Sequence, residues 1–402
     1  MSQVDAEASR AVSHDSFRDD LDRLSRSASL RRLEPVEVRG RLVLGPDGAL
    51  INLSGNDYLA LAQDPRLADA IADAARRDGA GSGASALVSG HRPCHRRLQE
   101  RFARFKRAEA ALLCPTGYLA NLATLGGLAR PDDLICMDKL NHASLIDAAR
   151  TTGATVRFYP HRGLAKAERL LERHRHGAPA SARRLIVTDG VFSMDGDSAP
   201  LRELCALADR YDALLIVDDA HGTGVLGPDG AGLCAELAMS ERVDVVVSTA
   251  SKALGSLGGL ITARREIIES IVNHGRGYIY TTGAMPVQAA AIDAALDIVR
   301  DEPDRRDRLH DLSLRLRRGL PDVAAPISLT DPTTPIVPIV VGDAADALEL
   351  SGHLKARGFF APAIRPPTVA PGTARVRISL RCDLADEDVD GLIDAVKEWF
   401  KP

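Results

Sequence analysis

The chain is 402 residues long, enough for two well-filled cores. Its 51 basic and 55 acidic residues leave a net charge of −4 with no long basic run, which makes nucleic acid or an anionic membrane a poor main partner. Six cysteines at least twenty positions apart, with no C-x-x-C pair, argue against a disulfide framework or a cysteine zinc site; with no apolar stretch of bilayer-spanning length and a polar start, they predict a cytoplasmic protein.

Residues 1 to about 14 are small and polar and are expected to be disordered. From Ser16, Phe17, Leu21, Leu24 and Ala28 recur at helical spacing, which predicts an amphipathic helix running on to Arg31 and Pro35. Two alternating runs, 36–44 and 49–53, flank Gly45-Pro46-Asp47-Gly48 and read as a β-hairpin. After SGNDYL (54–59) a helix is predicted over 65–78, with Pro65 suited to its first turn. The glycine-rich 79–90 breaks regular structure; it contains a G-x-G-x-x-A string, but a helix precedes it where a dinucleotide fingerprint needs a strand. Arg96, Arg97, Arg101 and Arg104 then fall on a helical pattern and read as a solvated face.

From 110 to about 265, short apolar runs alternate with helical stretches: 110–113, 134–137, 156–159, 185–188, 214–217, 243–247 and 260–262. That alternation predicts an α/β fold with a mostly parallel seven-stranded sheet covered on both faces, and ligands beyond the carboxyl ends of its strands. Beyond about 285 the texture changes to helices over 286–299, 304–320, 344–357 and 385–400, with strands near 336–341 and 375–380. The division expected is an N-terminal helix and hairpin segment (1–50), a large domain (51–285) and a smaller α+β domain (286–402).

Chemistry-bearing residues gather just after those apolar runs. Of the 51 basic residues only seven are lysines, and one of them, Lys252 in STASKALGSLGG, lies between a β-branched strand and a glycine-rich turn. An amine there, unlike a guanidinium, can lose its proton and condense with an aldehyde. Gly117 in PTGYLANL opens a helix after a strand, so its amide and that of Tyr118 would face an anion. His142 (LNHASL) and Ser193 (TDGVFSMDGDSAPL) also follow strands. VDDAHGTG (217–224) delivers Asp218 and Asp219 to the end of an aliphatic strand, with His221 three positions after Asp218; no third ligand at a suggestive spacing supports a metal, and none is expected. Together the set fits an aldehyde cofactor with a phosphate tail and a pyridine nitrogen, a carboxylate keeping that nitrogen protonated and a lysine holding the aldehyde. Asp218 and Lys252 are separated by one helix-sized crossover, which brings both to the same sheet edge.

On SGNDYL, GSGASALVSG, TGYLANL, NHASL, VFSMDGDSAPL, VDDAHGTGVLG, TASKALGSLGG and IRPPTVAPGTARVRISL, the chain resembles the α-oxoamine synthases, pyridoxal 5′-phosphate enzymes of the aspartate-aminotransferase fold that condense an amino acid with an acyl thioester. The last of these segments tilts the resemblance to members that join L-alanine to pimeloyl-CoA or a pimeloyl-acyl carrier protein. Siblings use glycine with acetyl-CoA or succinyl-CoA, or serine with a long acyl chain. The resemblance implies that Lys252 is joined to the cofactor aldehyde, Asp218 pairs with the pyridine nitrogen, His221 and Ser193 bond the phenolic oxygen, and His142 stacks on the ring. It implies phosphate contacts from Gly117, Tyr118, Thr249 and Ser251. Arg31 and Thr368 would contact substrate, Asn56 would lie near the amino-acid carboxylate and Arg365 would hold it. It also implies a homodimer with sites at the interface, Thr281 and Thr282 reaching across. Asp189, Ala86 and Gln99 depart from residues common in the family.

Overall fold

The structure is a computed structural model, described for residues 15–26, 30, 31, 33, 35–45, 48–320 and 333–401. The disorder expected before residue 15 and the tip of the hairpin turn at 46–47 lie outside the described residues. Helix α1 is Asp15–Arg26, its Phe17, Leu21 and Leu24 exposed on this chain. The run read as one strand over 36–44 is two, β1 (Glu37–Arg39) and β2 (Leu42–Gly45). Gly40, at φ +54°, turns the chain between them before β3 (Gly48–Asn52) completes a meander.

Helix α2 is Pro65–Asp78, with Pro65 in its first turn as expected; the Asp64 carboxylate, not singled out from the sequence, caps it by accepting from Arg66 N at 3.0 Å. The segment 79–90 is not irregular throughout: its last five residues, Ala86–Gly90, form one wide π-type turn closed by Gly90 N donating to Ser85 O at 2.9 Å. Helix α3 (Pro93–Lys106) corrects another expectation. Arg96, Arg97 and Arg104 are exposed, but Arg101 is half-buried and donates to Asp293 and Asp297, tying α3 to a later helix.

The seven apolar runs are strands β4 (Ala110–Cys114), β5 (Leu134–Asp138), β6 (Thr155–Tyr159), β7 (Arg184–Asp189), β8 (Ala213–Asp218), β9 (Val245–Thr249) and β10 (Gly259–Ala263). They form one sheet in the order β4-β10-β9-β8-β7-β5-β6, in which β10 alone runs antiparallel to its neighbours. Between them lie α4 (Gly117–Leu128), α5 (Ala143–Thr151), α6 (Leu164–Gly177), α7 (Leu201–Tyr211) and α8 (Leu233–Glu236). The helix-sized crossover expected from β8 to β9 carries α8, four residues long, and a single 3-10 turn at Ser240–Arg242. Side chains alternate between two cores, which is why the strands read as continuous apolar runs. Leu112, Ile135, Val187, Ile216 and Val247 pack under α4, α5 and α9 (Arg265–His274), while Leu113, Cys136, Ile186, Leu215 and Val246 face α3, α6 and α7.

After α10 (Arg276–Ile279), helices α11 (Pro286–Asp301) and α12 (Asp304–Gly319) lead to β11 (Ile336–Gly342), α13 (Ala344–Ala356), β12 (Phe359–Phe360), β13 (Ala363–Ile364), β14 (Ala374–Ser379) and α14 (Asp386–Trp399). Strands β11, β14 and β13 form an antiparallel sheet. The two-residue β12 pairs in parallel with β3, so the N-terminal meander shares a sheet with the far end of the chain.

Under the main sheet Lys106 Nζ, 3 % exposed, meets Asp219 Oδ2 at 2.9 Å, Thr223 Oγ1 at 2.8 Å and Ala231 O at 2.6 Å. Gly232, at φ +102°, makes room for this pair, since a Cβ there would stand 1.7 Å from Asp219 Oδ2. Removing one partner of a buried ion pair leaves the other charge uncompensated, so Lys106→Met is expected to lower folding stability by about 3 to 5 kcal/mol. Urea denaturation reads this directly, and an unchanged midpoint would contradict it.

Candidate active site

A cavity of about 190 Å³ opens at the carboxyl ends of β7, β8 and β9. It is lined by Gly117, Tyr118, His142, Ser193, Asp218, His221, Thr249, Ser251 and Lys252, every one of which the sequence had marked. A larger cleft of about 520 Å³ lies at the opposite, amino ends of the strands among Arg107, Glu109, Asp244 and Arg264. It collects balanced surface charge and none of the expected groups, so the smaller cavity is the candidate site.

Its floor is Asp218, 8 % exposed at the end of β8. Oδ1 accepts from Ala220 N at 3.0 Å and Oδ2 from Asn121 Nδ2 at 2.7 Å. In register on the adjacent parallel strand stands Asp189, whose side chain also lines the cavity. Burial, with the Asp218 charge beside it, pushes the Asp189 carboxyl well above the usual carboxylate range. Asp189 Oδ2 accepts from His142 N at 3.0 Å.

Lys252 follows β9. Among the described residues no hydrogen-bond acceptor meets its Nζ, although the carboxylates of Asp218 and Asp189 lie within electrostatic reach. Burial pulls its amine below the usual lysine range, and those two carboxylates oppose the fall. A cavity that admits water leaves the side chain half-buried, with protein on the remaining sides.

His221 is held by Tyr58, whose hydroxyl lies 2.7 Å from Nδ1. Burial drives its imidazolium well below the ordinary range, with Lys252 and Arg377 pushing the same way. Burial likewise raises the Tyr58 phenol to about 12, against the opposing Arg377 charge. Arg377, on β14, donates to Asn56 Oδ1 at 3.1 Å and to Ser193 O, so a strand of the C-terminal sheet reaches the rim of the cavity.

Opposite the floor, α4 begins at Gly117, capped by Thr116 Oγ1 accepting from Leu119 N at 3.2 Å. A Cβ at Gly117 would stand 3.2 Å from Thr249 Oγ1, so glycine lets the helix start close against that hydroxyl. Thr249 Oγ1 is in turn 2.8 Å from Ser251 Oγ. Helix amides and two hydroxyls thus converge as an anion site. His142 caps α5, with Nδ1 2.7 Å from Ser144 Oγ.

Six expected residues stand outside the cavity lining. Asn56 joins it only through Tyr58 and Arg377. Arg31 and Thr368, 337 positions apart in sequence, meet at 3.4 Å on the exposed surface. Arg365 follows β13 and is not among the lining residues. Thr281 and Thr282 do not line it either; Thr282 bridges to Ser85. Gln99 is buried against His91 and Ala86 lies in the π-type turn. Sequence reading missed Asn121, Ser144, Tyr58 and Arg377. Asn121 carried a usable signal, since it follows Gly117 by one helical turn and so faces the same way; Arg377 had none, because its strand comes from a different sheet.

Among the described residues no helix is long and apolar enough to cross a membrane, and no group of three His, Cys, Asp or Glu side chains could hold a metal ion.

The chain matches the family Aminotransferase class I and II over residues 49–396. It is 44 % identical over 378 residues to 8-amino-7-oxononanoate synthase of Anaeromyxobacter dehalogenans, covering 94 % of this chain and 93 % of that one. Among solved structures it is similar to serine palmitoyltransferase of Sphingomonas wittichii (TM-score 0.86, 27 % identity, 96 % of each chain). It is also similar to 8-amino-7-oxononanoate synthase of Francisella tularensis (TM-score 0.74, 26 % identity, 87 % of this chain and 97 % of that one).

The turn that carries Ser193 is braced by His161, whose Nε2 lies 2.8 Å from Asp197 and whose Nδ1 lies 3.2 Å from Asp138. Burial alone would lower the His161 imidazolium, but these two carboxylates outweigh it and raise it to about 9. A folded-state value above the unfolded 6.5 adds stability that is fully present below about pH 6.5 and is lost as pH rises through about 9. The urea-midpoint gap between wild type and His161→Gln is therefore expected to shrink over that window, and a gap independent of pH would refute it.

Proposed function

The chain belongs to the class I and II aminotransferase family, alongside 8-amino-7-oxononanoate synthases. On that premise we propose that it condenses L-alanine with a pimeloyl thioester, releasing carbon dioxide, free thiol and 8-amino-7-oxononanoate, a step of biotin formation. The observation that carries this reading is the cavity in which an acceptor-free lysine stands beside a buried carboxylate and a helix amino terminus.

Pyridoxal phosphate is the cofactor, and the residues present fit it. Asp218 is buried and held as an acceptor where a ring nitrogen needs a negative partner. Gly117, Tyr118, Thr249 and Ser251 would offer donors to the cofactor's phosphate, His142 would cover its ring, and Ser193 and His221 would bond its phenolic oxygen. Lys252 has an amine free to join the aldehyde. When bound, the cofactor draws electrons from the α-carbon of the amino acid.

What remains falls to the chain itself. Burial makes the Lys252 amine part with its proton more readily, which suits it to take the α-proton of alanine and later to return one. The Asp218 carboxylate would stand as the negative partner that favours a protonated pyridine nitrogen. Tyr58 fixes the His221 ring by its Nδ1. The alanine carboxylate meets a cation at the rim. Arg377, placed by Asn56 and Ser193 O, has a charge that is felt at Lys252, and Arg365 is the other candidate. Arg31 and Thr368, in contact at the surface, receive the acyl thioester, carried by CoA or an acyl carrier protein. The working unit is a homodimer, with Thr281 and Thr282 of one subunit serving the other's phosphate. The three-part division into 1–50, 51–285 and 286–402 belongs to the same reading.

The resemblance in shape to serine palmitoyltransferase keeps a serine and long-acyl reaction as the second reading. Thiol release from pimeloyl-CoA by the cofactor-loaded protein, run with L-alanine, glycine and L-serine, separates the two. Release with alanine is expected, and Lys252→Ala is expected to lose about 10² to 10⁴ in rate or more. Near-normal turnover by that variant, or release with serine alone, would overturn the proposal. Arg377→Ala is expected to raise KM for alanine more than Arg365→Ala; the reverse order would return the carboxylate to Arg365.

A further inference from the structure

Asn121 stands one turn into α4, 1 % exposed, between the two ends of the site. Its Nδ2 donates to Asp218 Oδ2 at 2.7 Å and to Ser144 Oγ at 2.8 Å, and Ser144 Oγ lies 2.7 Å from His142 Nδ1. Ser144 is also 1 % exposed, and Asn121 Oδ1 is buried with no partner. These four side chains form an unbroken row from the cavity floor to its cover.

The direction of every hydrogen in the row follows from its acidic end. A carboxylate only accepts, so the Asn121 amide must turn its nitrogen to Asp218; the opposite orientation would set Oδ1 against Oδ2. Leaving a buried carbonyl oxygen unpaired is unfavourable, and the orphaned Oδ1 marks which end of the amide is constrained. The second hydrogen on that nitrogen goes to Ser144 Oγ. A hydroxyl oxygen can accept twice, so accepting from Asn121 does not alone direct the Ser144 hydrogen; an Nδ1 that already accepts from a backbone N–H does, and the hydroxyl gives its hydrogen to it. Ser144 N points at the same ring nitrogen from 3.3 Å. A ring nitrogen that accepts twice carries no hydrogen of its own, which leaves the hydrogen on Nε2.

We propose that Asn121 and Ser144 are positioning residues that transmit the acceptor character of Asp218 to His142 and hold that ring as the neutral Nε2–H tautomer. Burial pushes the His142 imidazolium down in the same sense, with the Asp218 charge opposing and Lys252 assisting. The value of this arrangement rests on the proposed function in one respect: a neutral His142 adds no positive charge beside the cofactor, so the Asp218 charge is left to the ring nitrogen. The tautomer itself is independent of the substrate.

Nitrogen-15 NMR of the full chain with pyridoxal phosphate bound and histidine rings labelled reads the tautomer, with His142→Gln used to identify the resonances. The wild type is expected to show a bare, accepting Nδ1 and a hydrogen-bearing Nε2 at neutral pH. Asn121→Asp offers Ser144 only an acceptor, so the hydroxyl turns away from the ring and a hydrogen-bearing Nδ1 becomes populated. Ser144→Ala, which adds no charge, removes the hydroxyl and moves the Nδ1 resonance toward that of a free acceptor. A hydrogen on Nδ1 in the wild type overturns the proposal. So does an Nε2–H pattern that Asn121→Asp leaves untouched in folded protein, or that Ser144→Ala leaves untouched where Asn121→Asp does not fold. No amino acid or thioester is added, so a wrong substrate leaves this result standing and a wrong tautomer leaves the turnover assay standing.

Discussion

Two adjacent carboxylates leave the end of β8, and strand alternation sends them to opposite faces of the sheet. Asp219, fully buried, goes beneath to the Lys106 ammonium, while Asp218, also buried, goes above into the cavity. Each must be answered, because a lone ionised carboxylate in the interior is strongly unfavourable. Below, the answer is a cation, the Thr223 hydroxyl, the Leu233 backbone N–H and a glycine backbone shaped around them. Above, the direct hydrogen bonds come from an amide and a backbone N–H, with the Lys252 amine in electrostatic reach, and the carboxylate lines the cavity.

The second dependence is on the turn over 190–198, which brings Ser193 to the cavity between two independent sheets. His161 braces it from the main sheet side. From the other side Arg375 donates to Met194 O and Asp195, Arg377 donates to Ser193 O, and Thr334 Oγ1 donates to Gly196 O at 2.6 Å. The C-terminal strands therefore help to place a group in the site although only one of their side chains reaches its rim. A change in how those strands sit would be felt at Ser193 without any change in the residues that line the floor.

Much of the fold was legible because its strands are buried on both faces and its helices carry strong start signals. The helix over 65–78 begins at its proline and ends where the glycine-rich stretch starts. The failures share a cause: short range pattern does not report pairing across the chain. The break at Gly40 inside an alternating run, the wide turn at Ala86–Gly90 and the two-residue strand Phe359–Phe360 depend on partners elsewhere. Arg101 looked like one more surface charge until α11 supplied Asp293 and Asp297.

For the site, the sequence by itself determined the list of reactive groups and the strand ends on which they ride. Lys252, Asp218, His221, His142, Ser193, Gly117 and Thr249 each follow an apolar run, and parallel strands bring such positions to one edge. Only the tertiary structure decided how those groups are oriented and what stands around them. Tyr58 against His221, Asn121 between Asp218 and Ser144, and Arg377 reaching in from another sheet are contacts between residues distant in sequence. Hydrogen-bond direction and burial arise from such contacts, and neither is encoded in the spacing of residues along the chain.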